Sequence, residues 1–238
     1  MKINARERLI VALDVPTAEE AQKLVAQFEG VVSFFKVGLE LYTATGPELV
    51  RLLVSEGKKV FLDLKFLDIG ETVRRATEQA ARLGASFLTV HESGKAVAAA
   101  VQGRQGTDLK ILAVTVLTSL DTSDLQAMGL TCSVEELVLA RAQKAMEAGC
   151  HGVIASGQEA QKIREMAGDQ LLIVTPGIRP SGTSAEDQKR TAAPAEAVRA
   201  GADYLVVGRP VTRAPNPREA AIKILEEMQK AFDSLRIV

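Results

Sequence analysis

An α/β fold of the (β/α)8 TIM-barrel type, one domain over residues 1–238, is what the sequence predicts. Eight short apolar runs recur along the 238 residues, roughly one every 30, and each is followed by a helical pattern. No linker or low-complexity segment divides the series. The runs close on polar or charged residues on a shared side, where barrels of this class carry their chemistry. An open doubly wound sheet is the alternative. It is disfavoured because no G-x-G-x-x-G follows the first run and because eight units exceed what an open sheet usually needs.

The first run, 8–15 (RLIVALDV), ends on Asp14. Thr17 and Glu20 then match a capping box, and Ala21, Leu24, Val25 and Phe28 give a helical apolar face that Gly30 closes. The second run, 32–40, sets Lys36 among apolar neighbours, and Pro47 opens a helix that stops at Gly57. The third, from Val60, reads VFLDLKF and precedes a helix from about Glu71 to Gly84. Strand four is expected at 86–92, with an Ala-rich helix from Lys95, and strand five at 110–120, with one long helical region to Gly149. Strands six, seven and eight are expected at 152–156, 171–178 and 204–211. Asn216 and Pro217 start the last helix, with Ala220, Ile224, Leu225 and Met228 on one face.

Composition narrows the partners. Lys plus Arg number 29 against 30 Asp plus Glu, without long blocks of one sign, so neither a nucleic-acid groove nor a membrane surface is expected and a small ligand is. The apolar run near the N-terminus is short and stops at Asp14, so no signal peptide is expected and the cytoplasm is the expected compartment. Cys132 and Cys150 lack CxxC spacing, and His91 and His151 are the only histidines, which argues against a disulfide framework or a Cys/His zinc site. His91 reads as a hydrogen-bonded strand-end residue rather than a base, and His151 as a turn residue after Gly149.

Alternate residues of a strand share a face, so Asp63 and Lys65 project together while Leu62, Leu64 and Phe66 pack behind. Burying two such charges for stability alone is a poor device, and a site explains them better than a solvated edge strand does. The other strand ends supply Asp14, Lys36, Asp68, His91, Thr118, Ser156, Pro176, Arg179, Gly208 and Arg209. An array alternating in sign keeps each Lys and each Asp charged, although Asp14 or Lys36 alone also fits a rim salt bridge. The segments after strands seven and eight, TPGIRPSGTSAEDQKR and VVGRPVTRAPNP, suit a phosphate. Gly208 admits close backbone approach, and Arg179 and Arg209 offer planar forks. The loop after strand seven, rich in Gly, Pro, Ser and Thr, reads as a lid, with a plain surface loop as the alternative.

These residues carry a resemblance. DLKFLDI at 63–69 is similar to the D-x-K-x-x-D-I signature of the orotidine 5'-phosphate decarboxylase family, bacterial type. LDV at 13–15, FKVGLEL at 35–41, VTVLTSL at 114–120, TPGIRP at 175–180, DQ at 187–188 and VVGRPV at 206–211 match in the family's order over nearly the whole chain. The resemblance implies cofactor-independent, metal-free decarboxylation of orotidine 5'-phosphate to uridine 5'-phosphate (UMP) in de novo pyrimidine biosynthesis. It implies Lys65 as proton donor to C6, in a charged tetrad with Lys36, Asp63 and Asp68, the last reaching the site of a neighbouring subunit in a homodimer. By the same resemblance Asp14 and Lys36 hold ribose hydroxyls, Thr72 completes the motif as a substrate-binding residue, and Thr118 and Ser156 lie by the pyrimidine. Gln188 bridges lid, base and phosphate, while Arg179, Gly208 and Arg209 belong to the phosphate end. Leu67, Gly70, Glu71 and Glu92 depart from the family's usual His, Pro, Asn and small residue. The rivals are a Mg2+-dependent sugar-phosphate decarboxylase or aldolase of the same superfamily and a catalytically silent nucleotide-binding barrel.

Overall fold

A computed structural model of the protein describes residues 3–180 and 190–235. Eight parallel strands close in chain order and the last pairs with the first, which makes the fold a (β/α)8 barrel and removes the open sheet from consideration. The order is β1 (Leu9–Ala12), α1 (Ala18–Gln27), β2 (Phe34–Gly38), α2 (Leu39–Thr45), α3 (Glu48–Ser55), β3 (Lys59–Phe66), α4 (Gly70–Arg82), β4 (Phe87–His91) and α5 (Lys95–Gly103). It continues with β5 (Lys110–Val114), α6 (Thr122–Ala127), α7 (Val134–Glu147), β6 (Gly152–Ile154), α8 (Ala160–Ala167), β7 (Leu172–Thr175), α9 (Pro194–Arg199), β8 (Tyr204–Val207), α10 (Arg209–Thr212) and α11 (Pro217–Ser234). The caps read from sequence are in place: Thr17 accepts from the Glu20 amide at 3.2 Å, and Asn216 accepts from the Glu219 amide ahead of Pro217.

The period of two sorts the strands into two cores. Ile10, Ala12, Phe34, Phe61, Phe87, Leu112, Val174 and Val206 point inward and pack together. Their alternates, among them Val11, Phe35, Leu62, Leu88, Ile111, Ile173 and Leu205, join the larger core between barrel and helices. The lower barrel is filled by aromatic rings: Phe87 lies 5.0 Å from Phe34, 5.9 Å from Phe61 and 5.1 Å from Tyr204, all edge-on. Such pairs add about 0.5–1.5 kcal/mol each beyond area burial. Two residues beyond the three phenylalanines, on the same inward face, stand Lys36, Asp63 and Thr89.

Several strands end earlier than their apolar runs suggest. The fifth, expected to reach Leu120, stops at Val114, because the carbonyls that follow are claimed by side chains rather than a ladder: Thr115 by Arg141, Val116 and Leu117 by Arg190. Thr118 therefore sits on a loop. The eighth, expected to reach Val211, stops at Val207, where Gly208 turns the chain into α10 with Pro210 in its first turn. The second gives way at Gly38 to α2, which takes up Glu40; the seventh ends before Pro176 and Gly177, the latter at φ 73°. The first is likewise shorter, and the single helical region expected before Gly149 is two helices separated around Gly129, at φ 81°.

β3 also departs from regularity where the site begins. Leu62 pairs with Leu88 and Phe66 with Val90, so Asp63, Leu64 and Lys65 face a single residue, Thr89. Two extra residues on one strand form a bulge, a device that re-aims side chains.

Candidate active site

The inward residues of β2 and β3 carry the charge. Lys36 Nζ lies 2.8 Å from Asp14 Oδ1 and 3.5 Å from Asp63 Oδ2, while Lys65 Nζ lies 2.8 Å from Asp63 Oδ1. Asp14, Lys36, Asp63 and Lys65 thus form one chain of alternating sign across three adjacent strand ends. The Lys36 and Asp63 side chains are 11% and 15% exposed, while Asp14 is 55% exposed and faces the opening. Burial alone would push the Asp63 carboxyl up, but Lys36 and then Lys65 outweigh it and hold it below the usual carboxylate range. Burial alone would lower the Lys36 ammonium, but Asp63 and Asp14 raise it above its ordinary value. Both groups stay charged at neutral pH. Gly38 makes room for them: a Cβ there would stand 3.0 Å from Lys36 Nζ and 3.2 Å from Asp14 Oδ1.

Lys65 is the one described non-glycine residue at positive φ, 48°. That conformation costs a non-glycine residue about 1–2 kcal/mol and persists only where surroundings enforce it. Here the bulge enforces it and delivers the ammonium to Asp63.

These groups form one wall of a cavity of about 520 Å³ at the C-terminal mouth, a volume suited to a nucleotide-sized ligand. Ala12, Phe61, Val114, Ile154 and Val206 form its apolar floor. Thr118 and Ser119 line it from the loop after β5, Pro176, Gly177 and Arg179 from the segment after β7, and Gly208, Arg209 and Arg213 from the start of α10 and just beyond. Three guanidinium-bearing residues and two glycines thus share the walls with an ion-pair array, an arrangement able to take a ligand with an anionic group apart from its reacting end.

Of the residues singled out from sequence, Asp14, Lys36, Asp63, Lys65, Thr118, Pro176, Arg179, Gly208 and Arg209 meet in this cavity. Asp68 does not: it is exposed, its carboxylate accepts from the Ile69 amide, and Leu67 and Ile69 beside it are 62% and 73% exposed. Thr72 is exposed in the first turn of α4. Ser156 is fully buried, its hydroxyl donating to Glu159, whose other oxygen takes Arg190 at 2.6 Å. Ser156 is therefore enclosed in a buried brace rather than lining the cavity. His91 is half-buried outside the lining, and burial, then Lys65 and Arg141, push its imidazole below the ordinary value despite Asp63. Gln188 and the body of the expected lid lie outside the described residues. The base of that segment is tied by the Arg179 amide donating to the Ala192 carbonyl at 2.9 Å.

Sequence reasoning missed Glu40, Ser119 and Arg213, which line the cavity, and Thr89 beneath it. Arg213 stands four residues after Arg209, a helical spacing legible once α10 is known. The family departures have local uses: Glu71 takes Arg74 and Arg75, whose hydrogen bonds hold its carboxyl down at about 2, and the nearly buried Glu92 accepts from the Gly94 amide.

Comparison with known proteins adds ancestry to this geometry. Residues 7–224 match the family described as orotidine 5'-phosphate decarboxylase / HUMPS. An orotidine 5'-phosphate decarboxylase of Nitrobacter winogradskyi is 56% identical over 228 residues, covering 96% of this chain and 95% of that protein. One from Rhodopseudomonas palustris is 50% identical over 226 residues, covering 95% and 96%. The crystal structure of orotidine 5'-phosphate decarboxylase from Lactobacillus acidophilus superposes with a TM-score of 0.83 at 36% identity, covering 93% of this chain and 98% of that one.

Proposed function

The chain belongs to the orotidine 5'-phosphate decarboxylase / HUMPS family, and we propose that its barrel mouth decarboxylates orotidine 5'-phosphate to UMP with Lys65 as the proton donor. The reaction is a step of pyrimidine biosynthesis. The observation that carries the assignment is the placement of Lys65 Nζ at 2.8 Å from Asp63, inside a cavity that Arg179 and Arg209 also line.

Loss of CO2 breaks the bond from C6 to the carboxylate and leaves the electron pair in an in-plane orbital without a conjugated sink. The enzyme must therefore stabilise concentrated negative charge. An ammonium about 4 Å from a developing carbanion supplies on the order of 4 kcal/mol at an effective dielectric of 20. The pair then takes a proton from Lys65 Nζ, giving the C6–H of UMP. Asp63, held ionised by its two lysines, repels the substrate carboxylate in the ground state and loses that repulsion as CO2 departs, a secondary contribution. Asp14 and Lys36 hold the ribose hydroxyls, and Thr118 meets the base.

The phosphate takes Arg179, Arg209 and the backbone near Gly208, and binding energy gathered there is expressed in the transition state. Gln188, which lies outside the described residues, is assigned to bridge base and phosphate. Ser156 supports the base side through the Glu159 and Arg190 brace. Asp68 acts across a homodimer interface, a reading supported by its exposure and by the apolar Leu67 and Ile69 beside it, and Thr72 binds substrate. The enzyme works in the cytoplasm on a free nucleotide, needing no nucleic acid or membrane; no described helix is long and apolar enough to cross a bilayer.

No metal or cofactor takes part in this scheme. The test is the fall in ultraviolet absorbance on adding orotidine 5'-phosphate to wild type and to Lys65→Ala, each with and without a chelator. Wild type should turn over equally with chelator, and Lys65→Ala should lose turnover yet still bind UMP. Arrest by chelator would favour the Mg2+-dependent rival, and full turnover by Lys65→Ala would overturn the assignment.

A further inference from the structure

Thr89 is fully buried on the inward face of β4, two residues beyond Phe87 and opposite the bulge in β3. Its hydroxyl meets two groups of the site at once: the Lys65 amide donates to Oγ1 at 3.0 Å, and Oγ1 donates to Asp63 Oδ1 at 2.9 Å. The directions are fixed by chemistry, since an amide only donates and an ionised carboxylate only accepts, and a hydroxyl can do both together. Asp63 Oδ1 is also the oxygen that holds Lys65 Nζ at 2.8 Å. The three contacts close a small ring through the backbone of Lys65, its ammonium, the Asp63 carboxylate and Thr89.

The ring answers a difficulty the bulge creates. With three β3 residues facing one on β4, the Lys65 amide lies where the regular ladder is interrupted, and a buried donor left without a partner is costly. Thr89 supplies the acceptor, so the left-handed backbone of Lys65 is satisfied from the neighbouring strand. The same hydroxyl restricts the Asp63 carboxylate about its terminal torsion, which is broad without such a contact.

We propose that Thr89 is a positioning residue for the decarboxylation, its single hydroxyl setting both the backbone turn that presents Lys65 and the orientation of the carboxylate that holds its ammonium. The inference rests on the family reading of the site. Thr89 touches no reacting atom in this account and acts through Asp63 and Lys65.

The test compares wild type with Thr89→Val, nearly isosteric without the hydroxyl, and Thr89→Ser, which keeps it. Turnover is expressed per UMP-binding site so that misfolded protein does not count. Thr89→Val should lower kcat at least about tenfold while UMP affinity stays within about threefold. The acid limb of its kcat/KM profile should move to higher pH, because Asp63 loses a hydrogen bond that favours its ionised form. Thr89→Ser should return kcat to within about threefold of wild type. A merely structural role would reduce the yield of binding sites and leave kcat per site and the pH profile unmoved, which would overturn the proposal, as would a Thr89→Ser variant as impaired as Thr89→Val. If Thr89→Val does not fold, Thr89→Cys, a weak donor of similar size, is judged by the same criteria. Inactive wild type would instead overturn the family reading, whereas active wild type with an unaffected Thr89→Val enzyme would overturn the role of Thr89 alone.

Discussion

Replacing Lys36 by Met keeps the stem and removes the cation that lies 3.5 Å from Asp63 and 2.8 Å from Asp14. At an effective dielectric of 20 the Lys36–Asp63 attraction is about 5 kcal/mol. The Asp14 contact counts for less than about 1 kcal/mol, since that carboxylate is 55% exposed and rehydrates when its partner is lost. Asp63 cannot rehydrate in the same way, being 15% exposed, and it keeps Lys65 as its remaining cation. Removing one member of a buried array typically costs about 3–5 kcal/mol. For a chain of this size that is a fall in melting temperature of roughly 6–20 °C at neutral pH. The pH dependence has a definite sign. In wild type the depressed Asp63 carboxyl contributes stability above its unfolded value that is lost as pH falls through its folded one, and the raised Lys36 contributes stability below its unfolded value that is lost as pH rises through its folded one. In Lys36→Met the Asp63 carboxyl rises, so the gap to wild type narrows as the pH is lowered toward about 4. Thermal melts followed by circular dichroism across that range provide the check. A variant that melts within about 2 °C of wild type at neutral pH would refute the claim that Lys36 compensates a buried charge.

Two further perturbations address other parts of the cavity. Gly38→Ala has no backbone penalty, because Gly38 lies at φ −94°, yet its methyl group would displace Lys36 Nζ and Asp14. It should raise KM while changing stability by less than about 1 kcal/mol, and an unchanged KM would show that the Asp14–Lys36 pair does not hold substrate. Arg209→Ala should lower kcat/KM on orotidine 5'-phosphate by about 10- to 100-fold and scarcely alter turnover of the unphosphorylated nucleoside. Equal losses on the two substrates would remove Arg209 from the phosphate end.

The parts of the site legible in the sequence are those governed by the period of two. Phe34 and Lys36, and Phe61 and Asp63, share faces by simple alternation, and the cavity follows. The same rule carries Phe87 to Thr89, but a threonine within an apolar run also reads as an ordinary strand former, and only the Asp63 contact reveals its position. The bulge was not legible, since apolar residues flank Asp63, Leu64 and Lys65 just as they would in an even ladder. Strand ends failed for a related reason: where Arg141 and Arg190 take the carbonyls after β5, the apolar run continues but the sheet does not. The place of Ser156 after β6 is legible in the sequence, but its burial against Glu159 and Arg190 is not, because Arg190 is distant in sequence.

The edge-on rings of Phe34, Phe61, Phe87 and Tyr204 fill the base of the barrel. Among the described residues the cavity lies at the C-terminal mouth of the barrel. On the proposed reading, carbon dioxide and nucleotide leave by the mouth through which substrate arrives, so no newcomer pushes a spent molecule out from behind. On that reading, clearing the chamber falls to the polar rim, where Arg179 and Arg209 are assigned to the phosphate end.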